Sequence, residues 1–256
     1  MAPPKSVSPF ARYTKADKPA PHRIIAASYG EVGTLKTSFW AGAPGPIVFL
    51  SFDKGLEGVI EPFQDQKDIW VKEYTWGALT LGEPPTQDEA IELRDEFVDD
   101  FQHACNNART VVIDKETELW DVVKYAAFGP PKEGTPKDWD VPKGLMRKLL
   151  NAPKALDINF GVIQGMKNEW VSQVNPRTGK KGITQSGLRV RNGSDDVEAI
   201  MHINIEHVRE DDEFRMKIGK SRGPGGIDVQ YQTMPACTFT EFAMLVFPGT
   251  SEEDWA

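Results

Sequence analysis

Cysteine is scarce: Cys105 and Cys237 are the two in 256 residues. Two thiols so far apart in an unsecreted chain are expected to stay reduced and packed, not to form a disulfide. Long apolar runs are missing as well. Nothing approaches the roughly 20 consecutive apolar residues that a bilayer crossing needs. The opening Met1-Ala2-Pro3-Pro4-Lys5 lacks the apolar core of a secretion signal, so a cytoplasmic protein is expected. His22, His103, His202 and His207 show no metal-ligand spacing with one another or with Cys105. Excess positive charge is absent too: the net charge is −8, which argues against general coating of nucleic acid while leaving room for a local basic channel. What is present, 39% hydrophobic and 27% charged residues, belongs to a folded globular chain.

Residues 1–21 carry Pro3, Pro4, Pro9, Pro19 and Pro21, a density that predicts a disordered N-terminal arm, interrupted by Phe10 and Tyr13. Residues 22–248 read as one α/β domain, and 249–256 as a frayed acidic tail. Strands are predicted at Arg23–Ala27, Ile47–Phe52, Ile69–Tyr74, Thr110–Ile113 and Asn159–Gln164. Helices are predicted at Lys36–Ala41, Leu56–Phe63, Thr86–Asn106, Glu116–Phe128 and Pro142–Pro153, with Thr86 as a cap. The stretch 171–193 reads as a long flexible loop. Ile200–Val208 and Glu213–Gly219 alternate as a C-terminal β-hairpin, and Thr238–Val246 fits a helix or a strand. Alternating strands and helices predict a mostly parallel sheet flanked by helices.

The most informative stretch follows the first strand: Gly30, Glu31, Val32, Gly33, Thr34, Leu35, Lys36, Thr37, Ser38. It nearly matches the phosphate-binding pattern of Gly, four residues, then Gly-Lys-[Ser/Thr]. Gly30 and Gly33 can form the tight turn, Lys36 supplies a cation, and Thr37 a hydroxyl for Mg²⁺. Leu35 stands where the pattern has its second glycine, and this is expected to weaken nucleotide binding. Thr110-Val111-Val112-Ile113-Asp114 is a β-branched run ending in an acid. Beside a phosphate loop such an Asp holds Mg²⁺; elsewhere it is a turn residue. Glu116 reads as a favourable charge in the first turn of a helix.

The order of these features resembles the core of the RecA-like P-loop ATPases. More narrowly it is similar to the phage-encoded, Sak-type recombination ATPases, on the run Val112-Ile113-Asp114-Lys115-Glu116-Thr117-Glu118-Leu119-Trp120. The resemblance covers about residues 23–225. It places the catalytic acid at Asp53, an Asp where the family has Glu, with Asp53 as a helix cap the competing reading. It gives Gln164 the role of sensing the nucleotide. It makes the basic segment with Arg177, Lys180, Lys181, Arg189 and Arg191 a DNA-facing loop, with Trp170 to stack on a base; the competing reading is a solvated basic loop. Lys220 and Arg222 match the Lys-x-Arg-x-Gly-Pro segment of DnaB-type helicases, in which both cations reach the neighbouring subunit's γ-phosphate.

The resemblance therefore implies a protein that binds ATP and Mg²⁺ between subunits of a homo-oligomeric ring or filament. It couples hydrolysis to single-stranded DNA, as a phage protein in the host cell, with a single-strand-binding or recombination protein as a further partner. The alternative is a degenerate module that binds DNA or a partner and hydrolyses little. A small-molecule kinase is a third reading, for which the sequence lacks an arginine-bearing lid.

Overall fold

Ile24 to Ala27 is apolar without alternation because the strand it feeds, Ile25–Gly30 (β1), is covered on both faces. The computed structural model describes residues 22–76, 85–130, 138–174, 181–222 and 226–256. The arm at 1–21 lies outside the described residues, as do Arg177 and Lys180. β1 pairs in parallel with Asn159–Val174 (β5) on one side and Ile203–Glu210 (β7) on the other. β5 pairs in parallel with Thr110–Asp114 (β4), β4 with Ile47–Ser51 (β2), and β2 with Ile69–Glu73 (β3). Beyond β7 the sheet turns antiparallel through Glu213–Ile218 (β8) and Thr233–Pro235 (β9). The nine-stranded, mostly parallel sheet runs β3-β2-β4-β5-β1-β7-β8-β9, and Lys181–Asn192 (β6) pairs with the far half of β5.

Helices cover both faces. Lys36–Ala41 (α1) and Phe239–Val246 (α8) pack Phe39, Trp40, Phe239 and Phe242 against Phe49 and Ile205. On the opposite face Gln87–Asn107 (α3), Glu116–Phe128 (α4) and Asp140–Asn151 (α5) bury Phe97, Phe101, Leu119 and Met146 against Val111 and Phe160. Each such side chain contributes roughly 1.5–3 kcal/mol by leaving water. Short helices at Glu61–Gln64 (α2), Asp196–Ile200 (α6) and Gly226–Val229 (α7) complete the chain. Thr86 caps α3 in a reciprocal box with Glu89, and Thr238 does the same for α8 with Glu241, which decides helix over strand for that segment. α1 sits close to the sheet because Gly161 has no side chain: a Cβ there would lie 2.5 Å from the Trp40 ring. Trp40 Nε1, in the last turn of α1, also donates to Ser28 Oγ at 3.0 Å, which anchors the helix to β1.

Several expectations need correction. The helix predicted at Leu56–Phe63 is mostly turns, since Gly58 adopts φ 75° and only Glu61–Gln64 winds up. The described part of 171–193 is strand for the most part, not loop: β5 runs on past Gln164 to Val174, and β6 returns beside it from Lys181. The C-terminal tail is not frayed. Trp255 is buried 5.6 Å from the Phe247 ring, and Arg109 donates to the carbonyls of Asp254 and Ala256. Both cysteines are free. Among the described residues no helix is long and apolar enough to cross a membrane.

Candidate functional site

Ligands of open α/β sheets bind in the crevice outside the carboxyl ends of the parallel strands. Here those ends bring together Gly30 of β1, Asp53 just past β2, and Asp114 of β4 around a cleft of about 440 Å³. The turn from Gly30 to Ser38 forms one wall. Gly30 is held at φ 151°, and a Cβ on it would meet the His207 carbonyl oxygen at 2.1 Å, so this turn can follow β1 only because residue 30 is glycine. Val32 points to solvent, and Thr34 Oγ1 closes the turn by donating to the Glu31 carbonyl at 2.8 Å. Gly33 takes φ 76°. Leu35 takes φ 67° and ψ 16°, the left-handed conformation a glycine would adopt without strain. Its side chain is 40% exposed and stands at the rim, so it does not plug the cleft.

Lys36 folds its ammonium back into the turn. Nζ donates to the carbonyls of Gly30 at 3.0 Å and Glu31 at 2.5 Å, and to Thr34 Oγ1 at 3.2 Å. Burial pushes its pKa down, opposed by the nearby Asp114 carboxylate. Among the described residues the backbone N–H groups of Thr34, Leu35, Lys36, Thr37 and Ser38 meet no protein acceptor. Unpaired inward donors beside a cation form a cradle for an anion.

Thr37 Oγ1 donates to Asp114 Oδ2 at 3.0 Å. Asp114 is buried, and burial raises its carboxyl to about 6. The strands that carry the two groups are not neighbours: β5 lies between β1 and β4. A hydroxyl and a buried carboxylate at this separation are hard oxygen donors of the kind Mg²⁺ accepts alongside water. Among the described residues no group of three or more His, Cys, Asp or Glu is arranged to hold a metal by itself.

Asp53 is half-buried and forms an ion pair with Lys115, a residue the sequence reading gave no role. Its position directly after Asp114 was the available signal. Asp53 is not a helix cap, because no helix follows it within reach. Glu116 sits in the first turn of α4, as expected, but makes more specific contacts than a first-turn charge needs. It is fully buried, accepts from Gln164 Nε2 at 2.7 Å and from the Ser194 backbone N–H at 3.1 Å, and burial lifts its carboxyl to about 7. Gln164 faces an adjoining cavity, with its Oε1 buried and, among the described residues, without a hydrogen-bond partner. In this arrangement it does not reach the cleft.

Of the residues expected on a DNA-facing loop, those described lie on β5 and β6, while Arg177 and Lys180 fall outside the described residues. Trp170 is exposed on β5. Lys181 begins β6. Arg189 reaches back to the turn and pairs with both oxygens of Glu31, at 2.7 and 3.0 Å. Arg191 stacks 3.8 Å over the Tyr29 ring and donates to Asn204 Oδ1 at 3.2 Å. Lys220 and Arg222 follow the end of β8. Lys220 caps the end of α6 through the carbonyls of Glu198 at 2.8 Å and Ala199 at 3.0 Å, and neither cation lines the cleft.

No protein-family model matches the chain, and no curated protein matches it. The site must be read from its own chemistry.

Proposed function

We propose that the chain is a RecA-like P-loop protein that binds ATP with Mg²⁺ in this cleft and couples nucleotide binding to single-stranded DNA. The supporting observation is the conjunction at one strand end of Lys36, unpaired backbone donors, and the Thr37–Asp114 contact at 3.0 Å. In this reading Lys36 leaves the turn's carbonyls for the β- and γ-phosphates, and the turn from Gly30 to Ser38 wraps them with N–H groups. Thr37 and Asp114 would hold Mg²⁺, whose charge would neutralise the phosphates. Asp53 is the acid available to orient water. Trp170, Arg177, Lys180 and Lys181 would meet DNA, and Lys220 with Arg222 would serve a neighbouring subunit in a ring or filament. A phage recombination setting rests on the sequence resemblance.

A second reading is favoured by one contact. The Asp53–Lys115 ion pair engages the acid that would orient water. A protein held in that arrangement binds nucleotide and hydrolyses little.

Titration with a non-hydrolysable ATP analogue, together with turnover assays with and without single-stranded DNA, tests both. DNA-stimulated turnover that disappears in Lys36→Ala is expected of the motor. Tight analogue binding without turnover selects the second reading. Unchanged analogue affinity in a folded Lys36→Ala protein would sink both.

A further inference from the structure

Among the described residues three cations line the cleft, and each is held by a protein acceptor. Lys36 is bound by the turn's carbonyls, Lys115 by Asp53, and Arg189 by Glu31. Arg189 differs from the others in its origin. It comes from β6, on the hairpin that leaves the sheet, whereas Glu31 belongs to the turn itself. Its guanidinium also donates to Asn168 Oδ1 at 2.9 Å and to the Met166 carbonyl at 3.1 Å, so one planar group joins both strands of the hairpin to the turn. Asn168 is its ladder partner, and the register of the hairpin slips between Asn168 and Trp170. Such an irregularity gives a hairpin a place to bend.

We propose that Arg189 is a phosphate-binding residue of the cleft that exchanges Glu31 for the terminal phosphates of a bound nucleotide, and so carries the nucleotide state to the β5–β6 hairpin. The proposal rests on the cleft taking a polyphosphate. The charge arithmetic favours exchange. The side chains of Arg189 and Glu31 are 44% and 55% exposed, and ion pairs in that setting hold weakly. A guanidinium matches a phosphate with the same two-pronged geometry it uses on Glu31, and a triphosphate carries more negative charge than one carboxylate. Once Arg189 leaves, Glu31 no longer ties the turn to the hairpin, and the bend between Asn168 and Trp170 loses its nearest clamp.

A purely structural ion pair and an exchanging one differ in the sign of their mutational effects. Affinity for a non-hydrolysable triphosphate analogue is measured for the full chain, for Arg189→Gln, for Glu31→Gln and for the double variant. Loss of a bidentate charge-assisted contact should weaken Arg189→Gln about tenfold. Glu31→Gln, which removes the competitor, should tighten binding about threefold, a gain of ~0.7 kcal/mol. That gain should vanish in the Arg189→Gln background, because no arginine is left to release. Hydrogen exchange over 181–192 should change when the analogue binds the unaltered protein and stay constant in Arg189→Gln. Equal weakening in both single variants, or a Glu31→Gln gain that persists without Arg189, overturns the exchange and leaves nucleotide binding intact. Failure of the unaltered protein to bind the analogue overturns the nucleotide reading and this inference with it.

Discussion

Thr37 donates its hydroxyl hydrogen to Asp114 at 3.0 Å across 77 residues of sequence, although the strands that deliver them are separated by β5. The contact is possible because α1 lies tight on the sheet. Trp40 packs over Gly161 of that intervening strand, which brings the first turn of α1 within reach of the end of β4.

Asp114 is disfavoured as a buried charge, and in the proposed function it would hold Mg²⁺. Burial holds its carboxyl near 6, above the value of an unfolded chain, so the ionised form costs stability at neutral pH. Asp114→Asn removes that cost while keeping an oxygen for Thr37. The variant should melt a few degrees higher, at about 2–4 °C per kcal/mol for a chain of this size. Its analogue affinity should fall about tenfold or more in Mg²⁺ and change little in EDTA. Calorimetry and paired titrations read both effects. A lower melting temperature would refute the account of Asp114 as a destabilising buried charge.

Leu35 occupies a glycine's conformation with its side chain at the rim. The left-handed backbone costs a non-glycine residue roughly 1–2 kcal/mol, partly offset by the roughly 0.5–1 kcal/mol of chain entropy that glycine forfeits on folding. Leu35→Gly should therefore stabilise the protein slightly. Because the leucine does not fill the cleft, analogue affinity should stay within about threefold, less than the loss of one charge-assisted contact. A tenfold tightening would show that the side chain obstructs the ligand.

The parts legible in the sequence were those with a local signature. Ile47–Phe49 and Val111–Ile113 read as strands because burial on both faces leaves a continuous apolar run. The Thr86 cap needs only three residues of context. Arg189–Glu31 spans 158 positions, and no local pattern announces it. The β5–β6 hairpin was read as a loop because it leaves the sheet: Ser172, Gln173 and Ile183 are all exposed, so neither face shows the alternation that marks a half-buried strand. Asp53–Lys115 and Glu116–Gln164 were invisible for a related reason. Each joins residues on or just after different strands, and which strands are neighbours follows from the strand order.

Gly30 and Gly33 both sit in the turn, yet substitution should affect them very differently. At Gly30 a Cβ would stand 2.1 Å from the His207 carbonyl oxygen, a backbone atom that cannot turn aside. Gly30→Ala should cost about 3 kcal/mol or more, as expected for strain at a constrained backbone position, and should abolish analogue binding. At Gly33 a Cβ meets nothing within 4 Å, so the left-handed φ of 76° is the sole penalty. Gly33→Ala should cost about 1–2 kcal/mol and leave the turn able to bind. Denaturant unfolding separates the two, and equal costs would contradict this geometry.

His207 supplies a pH signature. It is fully buried between Ser28 Oγ at 3.3 Å and the Phe39 ring at 5.6 Å, and burial, helped by the Lys36 charge, pulls its pKa down to about 3. The unfolded chain protonates this imidazole below about 6.5, whereas the folded protein resists until about 3, so between those values the unfolded state binds more protons. The contribution of His207 is therefore complete above about 6.5 and declines as the pH falls, at up to about 1.4 kcal/mol per unit. Glu116 and Asp114 act in the opposite sense. Their carboxyls are raised to about 7 and about 6, so their ionisation costs the fold more as the pH rises, and the net profile of the unaltered protein is flattened. His207→Asn isolates the histidine: its stability relative to the unaltered protein should improve steadily from pH 6.5 to pH 4, whatever its offset at neutral pH. A relative stability independent of pH over that window would show that His207 titrates alike in the folded and unfolded states.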